Sequence, residues 1–189
     1  DAGGGGPARE TMNNVLVVRT DRLGDVILST PVATVLKRRF PGCRVTFLAR
    51  HGTRPILECH PHVDAIVAVD DAEFFGKRGF FRLVSFLRGH KFDTMIFLHP
   101  TFSLACLGWL VRIPRRLGTG YRFYSALFTH RVFEHRKTAQ HHEAEYNLRL
   151  LRAVGIDTAT VEFHYALSQE DRNQSQRKLS GLGIDPDDS

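Results

Sequence analysis

The sequence predicts an α/β fold, a Rossmann-like open parallel sheet with flanking helices. Short runs of apolar, often β-branched residues alternate with longer segments whose apolar residues recur at helical spacing. The first run, residues 15–18 (VLVV), contains no polar residue, which is typical of a strand that is buried on both faces of a parallel sheet. Strands and helices that alternate in this way form right-handed strand–helix–strand units, with the helices on the faces of the sheet.

The predicted elements follow one another at short intervals. A polar turn at residues 19–25 comes after the first strand, and a helix then runs from Ile27 to Phe40, where Pro41 and Gly42 stop it. Further strands are predicted at residues 44–49, 65–69, 94–98 and 116–118. Further helical segments are predicted at residues 52–59, 80–87, 104–111, 141–154 and 168–182.

The length of 189 residues fits one folded domain with irregular ends. Residues 1–13 contain four consecutive glycines and no apolar period, so we expect a disordered leader there. Residues 14–184 are predicted to form the Rossmann-like domain, and residues 185–189 to begin a linker.

A net charge of +6 calls for an anionic partner: a nucleic acid, an acidic membrane surface or a phosphorylated substrate. The basic residues are dispersed along the chain, which argues against a dedicated nucleic-acid arm. The aromatic pairs at residues 74–75 and 80–81 lie among basic residues, and either contact a membrane or pack a helix against the sheet.

Three cysteines lie far apart without a C-x-x-C spacing, which favours a reducing compartment. No signal peptide is recognised at the start of the chain. The most apolar stretch, residues 104–113, is shorter than the roughly 20 residues that a membrane-spanning helix needs. We therefore expect a cytoplasmic protein.

The loop after the first strand is the main candidate for a functional site, because ligands of open parallel sheets bind beyond the carboxyl ends of the strands. This loop matches neither the dinucleotide-binding fingerprint nor the P-loop. It contains Gly24, Arg22 and the two carboxylates Asp21 and Asp25. An ionised carboxylate can act as a general base towards a substrate hydroxyl, and it can equally cap a helix. Both roles stay open for Asp25 on these grounds.

Basic and histidine side chains follow the other predicted strands and should lie at the same edge of the sheet. They are Arg50 and Arg54 after the second strand, Lys77 and Arg78 after the third, His99 after the fourth and Arg122 after the fifth. Each is either a substrate contact or an ordinary solvated charge.

Metal and hydrolase sites are not predicted. Cys59, His60 and His62 are close in sequence, but no second pair of ligands matches them, and His135, His141 and His142 form no better set. No nucleophile motif such as G-x-S-x-G is present.

The chain resembles the N-terminal part of family 9 glycosyltransferases, the ADP-heptose:lipopolysaccharide heptosyltransferases. Their opening combines an apolar strand, a short polar turn, an L-G-D triplet and a T-x-P-type or S-x-P-type helix start, which correspond here to residues 15–18, Leu23-Gly24-Asp25 and Ser29-Thr30-Pro31. Further segments match in order. They are residues 50–64, where His60 replaces the usual asparagine, residues 92–98 followed by His99, and residues 142–148 followed by Gly155-Ile156.

The resemblance implies the N-terminal half of a GT-B fold, in which two Rossmann-like domains enclose the active site. It implies an inverting transfer of heptose from ADP-heptose to the inner core of lipopolysaccharide, without a metal or another cofactor. The base would be Asp25. The candidates for binding the anionic acceptor would be Arg22, Gly24, Arg50, Arg54, Lys77, Arg78, His99 and Arg122.

The resemblance also implies that ADP-heptose binds mainly to a C-terminal donor domain that these residues do not include. Peripheral contact with the inner membrane is compatible with the basic loops, and no nucleic-acid partner is expected. Two alternatives are a non-catalytic basic α/β module that binds an anionic partner and an inactive fragment of a split gene.

Overall fold

A parallel sheet forms the centre of the computed structural model, which describes residues 11–70, 76–133, 142–158, 160–166 and 169–182. In these residues the sheet has six strands, in the order β3-β2-β1-β4-β5-β6, and every neighbouring pair is parallel. The strands are β1 (Asn14–Val18), β2 (Arg44–Arg50), β3 (Ala65–Val69), β4 (Thr94–Phe97), β5 (Arg115–Thr119) and β6 (His130–Val132). The predicted Rossmann-like open parallel sheet is confirmed.

Helices cover both faces of this sheet. They are α1 (Leu23–Ile27), α2 (Pro31–Arg39), α3 (Arg54–Glu58), α4 (Lys77–Gly89), α5 (Phe102–Val111), α6 (Glu143–Arg149) and α7 (Gln169–Gly181). Short 3₁₀ turns lie at His51–Thr53, Phe123–Leu127 and Leu150–Val154. No helix in the described part of the chain combines the length and the apolar character needed to cross a membrane.

The core has two layers because successive residues of a strand point to opposite faces. Val15 and Val17 of β1 pack in one layer, which also includes buried side chains of α2 and of the turn after α6. Leu16 and Val18 pack in the other layer, with buried side chains of α4 and α5. The uninterrupted apolar run that predicted β1 is therefore explained by burial on both faces.

Two elements differ most clearly from the sequence prediction. The helix predicted from Ile27 to Phe40 begins only at Pro31, as α2, because proline has no backbone N–H and suits the first position of a helix. The short helix α1 precedes it and begins in the segment predicted as a polar turn. Strand β6 was not predicted. It has only three residues, includes a histidine and an arginine, and lies at the edge of the sheet, so it lacks the apolar run of a central strand.

The predicted leader was too long at its C-terminal end. Met12 is only 2% exposed and belongs to the core, and the backbone N–H groups of Asn13 and Asn14 donate to Asp93 Oδ2 at 2.7 and 2.8 Å. Thr11 to Asn13 are therefore held on the amino edge of the sheet. Residues 1–10 and 183–189, which include the predicted linker, lie outside the described residues.

Candidate functional site at the carboxyl edge of the sheet

The sequence-predicted site residues come after the carboxyl ends of the strands. Because all strands are parallel, these ends share one edge. The loop that holds Arg22, Gly24 and Asp25 follows β1, which lies between β2 and β4. The strand order reverses direction at this point, where ligands of open α/β sheets bind. The other candidates lie along the same edge. In strand order they are Lys77 and Arg78 after β3, Arg50 and Arg54 at the end of β2 and after it, His99 after β4 and Arg122 after β5.

Arg19, the first residue after β1, is a buried cation at the base of this loop. It is 2% exposed, and its backbone N–H donates to Leu48 O at 3.0 Å. Its guanidinium pairs with three carboxylates. The contacts are Nε to Asp21 Oδ1 at 2.7 Å, Nη2 to Asp25 Oδ1 at 3.1 Å and Nη1 to Glu143 Oε1 at 3.2 Å. Buried charges of this kind are stable only when they are paired and hydrogen-bonded.

Asn147 of α6 contacts both Arg19 and the segment that follows α1. It is fully buried, and its Oδ1 accepts from Arg19 Nη1 at 3.5 Å. Its Nδ2 donates to Leu28 O at 3.1 Å and to Ser29 Oγ at 3.3 Å. Ser29 Oγ in turn donates to the backbone carbonyl of Asp25 at 2.7 Å. Helix α6 thus fixes both the guanidinium and the end of the helix that carries Asp25.

Asp25 is the third residue of α1, and its side chain is 33% exposed. The N-cap position of this helix belongs to Arg22, and no side chain makes a capping hydrogen bond there. Asp25 is therefore not the N-cap residue of α1, and its carboxylate lies in the first turn of that helix. Its carboxylate contacts Arg19 through Oδ1 while part of the side chain stays open to solvent, an arrangement that a general base for a bound hydroxyl requires.

His99 joins the site from the neighbouring strand. Its Nδ1 lies 3.6 Å from Asp21 Oδ2, and its ring is about half exposed. Gly24 is exposed, and a Cβ atom built on it would meet no other atom within 4 Å. The surface above α1 therefore has room for a ligand.

The other candidate cations lie along the edge rather than in this network. Arg22, Arg50, Lys77, Arg78 and Arg122 are all exposed. Arg54 pairs with Glu58 on the next turn of α3, with 2.6 Å between Nε and Oε1. The structure thus brings Asp25 and His99 into one constellation and leaves the arginines and lysines on the surface around it.

The residues that organise this site were not among the predicted site residues. Arg19 was not singled out, and Glu143 and Asn147 entered only as part of the matching segment at residues 142–148. Glu143 and Asn147 are four residues apart and so share one face of α6. The signal that was available is the charged residue placed directly after a fully apolar strand, where a buried position is expected.

The histidines near Cys59 lie at the opposite edge, before β3. His60 is 3% exposed, and its ring centroid is 5.7 Å from that of His62 and 6.1 Å from that of His164. Burial, together with the two neighbouring histidines, lowers the pKa of His60 to about 4. Within the described residues, no group of three or more His, Cys, Asp or Glu side chains is arranged to hold a metal ion.

Phe80 and Phe81 have different environments. Phe80 is half-buried and packs against the core, as one of the two interpretations expected, whereas Phe81 is exposed. Residues 74–75 lie outside the described part of the chain.

Comparison with known proteins gives no matching family model. The chain is 31% identical over 141 residues to a Haemophilus influenzae protein named "Putative glycosyltransferase", covering 75% of this chain and 40% of that protein. It is 25% identical over 165 residues to "Lipopolysaccharide heptosyltransferase 3" of Escherichia coli, covering 85% of this chain and 48% of that protein. The chain therefore spans about half the length of the curated relatives it matches.

Solved structures show the same fold. A family 9 glycosyl transferase from Veillonella parvula superposes with a TM-score of 0.82 at 24% identity, over 96% of this chain and 52% of that one. The E. coli heptosyltransferase WaaC with ADP-2-deoxy-2-fluoro heptose superposes with a TM-score of 0.63 at 20% identity, over 82% and 53% of the two chains. The chain thus matches about half of each solved structure.

Proposed function

The chain belongs to the heptosyltransferase-like glycosyltransferases of family 9, and on this premise we propose that it supplies the acceptor-side domain and the catalytic base of an inverting heptosyltransferase. The donor would be ADP-heptose, and the acceptor the inner core of lipopolysaccharide. The proposal extends to a two-domain enzyme in which the carboxyl edge of this sheet faces the donor-binding half.

The observation that carries the proposal is the position of Asp25. It lies at the strand-order reversal, is partly open to solvent, and has one carboxylate oxygen held by a buried cation. In an inverting transfer, the base removes the proton from the acceptor hydroxyl, and the oxygen of that hydroxyl bonds to the anomeric carbon of the sugar. The bond from that carbon to the diphosphate breaks on the opposite side, and ADP leaves with the electron pair.

The exposed cations support an anionic acceptor. Arg22 and Arg122 lie on either side of His99 in strand order, and Arg50 follows on the β2 side. Guanidinium groups bind phosphate and carboxylate with paired hydrogen bonds, so a phosphorylated or acidic sugar core is the matching ligand. Their placement along the same sheet edge as Asp25 supports a transferase rather than a basic module that binds nucleic acid along a helix or a face.

Exposed aromatic side chains lie beside these cations. Phe102, Tyr121 and Phe123 are all about half exposed or more, and the Phe102 and Phe123 ring centroids are 5.6 Å apart. Aromatic rings next to arginine suit the interface of an anionic bilayer. We therefore include peripheral contact with the cytoplasmic face of the inner membrane in the proposal.

A transfer assay tests the function directly. The full-length protein is incubated with ADP-heptose and a heptose-deficient inner-core lipopolysaccharide, with and without EDTA, and the anomeric configuration of the product is determined by NMR. We expect inverted product in both samples. Failure to transfer, or retention of configuration, would reject the proposal.

The 189-residue chain alone is expected not to bind ADP-heptose, because the donor contacts are proposed to lie in the other half of the enzyme. Isothermal titration calorimetry with ADP-heptose should give no binding heat, whereas the inner-core acceptor should bind. Clear saturable binding of the donor would contradict this division of roles.

Replacing Arg122 with glutamine should weaken acceptor binding more than turnover. We expect KM for the acceptor to rise about 3- to 10-fold with kcat nearly unchanged, since one charged contact that is present throughout the reaction is lost. Arg38→Gln is the matched control, because Arg38 is exposed on α2 and pairs with Glu162. An equal KM for the acceptor in wild type and Arg122→Gln would show that Arg122 does not bind the acceptor.

A further inference from the structure

Arg19 connects three elements of the candidate site through its guanidinium. All three nitrogens of its guanidinium are used, and each points to a different group. Nη1 contacts Glu143 and Asn147 on α6 and also Leu98 O after β4, at 3.5 Å. One side chain thus connects the loop after β1, the end of β4 and helix α6.

Three carboxylates surround the Arg19 guanidinium, and one of them belongs to Asp25. Asp21, Asp25 and Glu143 bring three carboxylates together, and the Arg19 guanidinium contacts all three of them. Arginine stays protonated in proteins and offers five donors in a rigid plane. A lysine ammonium is a point charge and cannot keep three separate carboxylates in the same directions.

We propose that Arg19 is the positioning residue of the catalytic base, holding Asp25 through Oδ1 so that Oδ2 receives the proton of the acceptor hydroxyl. Glu143 and Asn147 hold Arg19 in turn. This inference rests on the proposed function. Arg19 itself is buried beneath the loop and is not proposed to touch the acceptor, so its effect acts through Asp25.

The expected signature is a loss of turnover without a loss of binding. In the full-length protein, Arg19→Met should lower kcat about 100-fold, because small displacements of a reacting group have effects of this size. KM for donor and acceptor should change less than about 2-fold. Arg19→Lys keeps the positive charge but not the planar set of guanidinium donors, and kcat should be intermediate between wild type and Arg19→Met.

Arg115→Met is the matched control. Arg115 is also largely buried, with 22% of its side chain exposed, and it pairs with Asp93 and the Thr11 carbonyl at the amino edge. Its loss should reduce stability but leave kcat per folded protein near the wild-type value. A merely structural role for Arg19 would make the two variants behave alike.

The outcomes separate this inference from the proposed function. If Asp25→Asn keeps normal turnover, the proposed function fails. If Asp25→Asn is inactive while Arg19→Met or Arg19→Lys keeps a wild-type kcat, only the positioning role is overturned. If Arg19→Met does not fold, Arg19→Lys decides: a lower kcat at unchanged KM supports the inference, and an unchanged kcat rejects it.

Discussion

Replacing Asp25 with asparagine in the full-length protein is expected to lower kcat about 10²- to 10⁴-fold, the usual contribution of a general base. Asparagine has nearly the same shape and keeps an oxygen that can accept from Arg19, but its amide cannot take a proton from the acceptor hydroxyl. The affinity for ADP-heptose should stay the same, because the donor is proposed to bind to the other half of the enzyme. Initial rates at saturating acceptor, with donor binding measured by calorimetry, test both parts.

Asp157→Asn is the control for this substitution. Asp157 is mostly exposed and pairs with Arg152 on the surface, so its loss should leave kcat within about 2-fold of wild type. Turnover near the wild-type rate in Asp25→Asn would reject Asp25 as the base. A large loss of donor affinity in that variant would instead contradict the separation of donor and acceptor sides.

The second large effect concerns stability below neutral pH. Burial lowers the pKa of His60 to about 4, whereas a histidine in the unfolded chain has an ordinary pKa of 6.5. Between these two values the unfolded chain binds a proton at this position and the folded protein does not. The free energy of unfolding should therefore fall as the pH decreases from about 6.5 to 4, by about 2 to 3 kcal/mol from this group, and this contribution should be constant outside that window.

Several charged or titratable groups surround His60 and contribute to the same region. They are His62, His164, Lys37, Arg38, Asp64 and Glu162. The contribution of His60 is therefore best measured as a difference from His60→Asn. Asparagine does not titrate and can still accept from the backbone N–H of His62, which donates to His60 Nδ1 at 3.2 Å in the present structure.

Denaturant unfolding of both proteins between pH 4 and 8 measures this difference. We expect wild type to lose more stability than His60→Asn as the pH falls from 6.5 to 4. Parallel stability curves for the two proteins would show that His60 is not held neutral by the fold.

Local patterns in the sequence were sufficient for the fold class. The apolar residues 15–18 indicated a strand that is buried on both faces of a parallel sheet, and the mostly apolar runs of β2 and β4 are buried in the same way. The run of β3 is equally apolar, but this strand lies at the edge of the sheet and is mostly half-buried. Parallel strands also determine where loops lie. The position of Asp25 at the carboxyl edge therefore followed from its place directly after the first strand.

A sequence pattern does not predict a strand that forms only because a neighbouring strand is available to pair with it. Strand β6 forms at the edge of the sheet, from residues His130–Val132, because β5 offers free backbone hydrogen-bonding groups there, not because of an apolar pattern. The start of α2 at Pro31 is a different case, because a proline at the first helical position is a local signal that the sequence already contains.

The sequence by itself determined a Rossmann-like domain with a carboxylate, Asp25, in its first βα loop, since both follow from the order of residues along single elements. The tertiary structure alone decided what holds that carboxylate. Arg19 is 124 residues from Glu143 and 128 from Asn147 in the chain, and these contacts exist only because α6, which packs against α2, lies next to the loop after β1. The partners of a buried charge depend on which distant elements meet around it, and no local pattern specifies that.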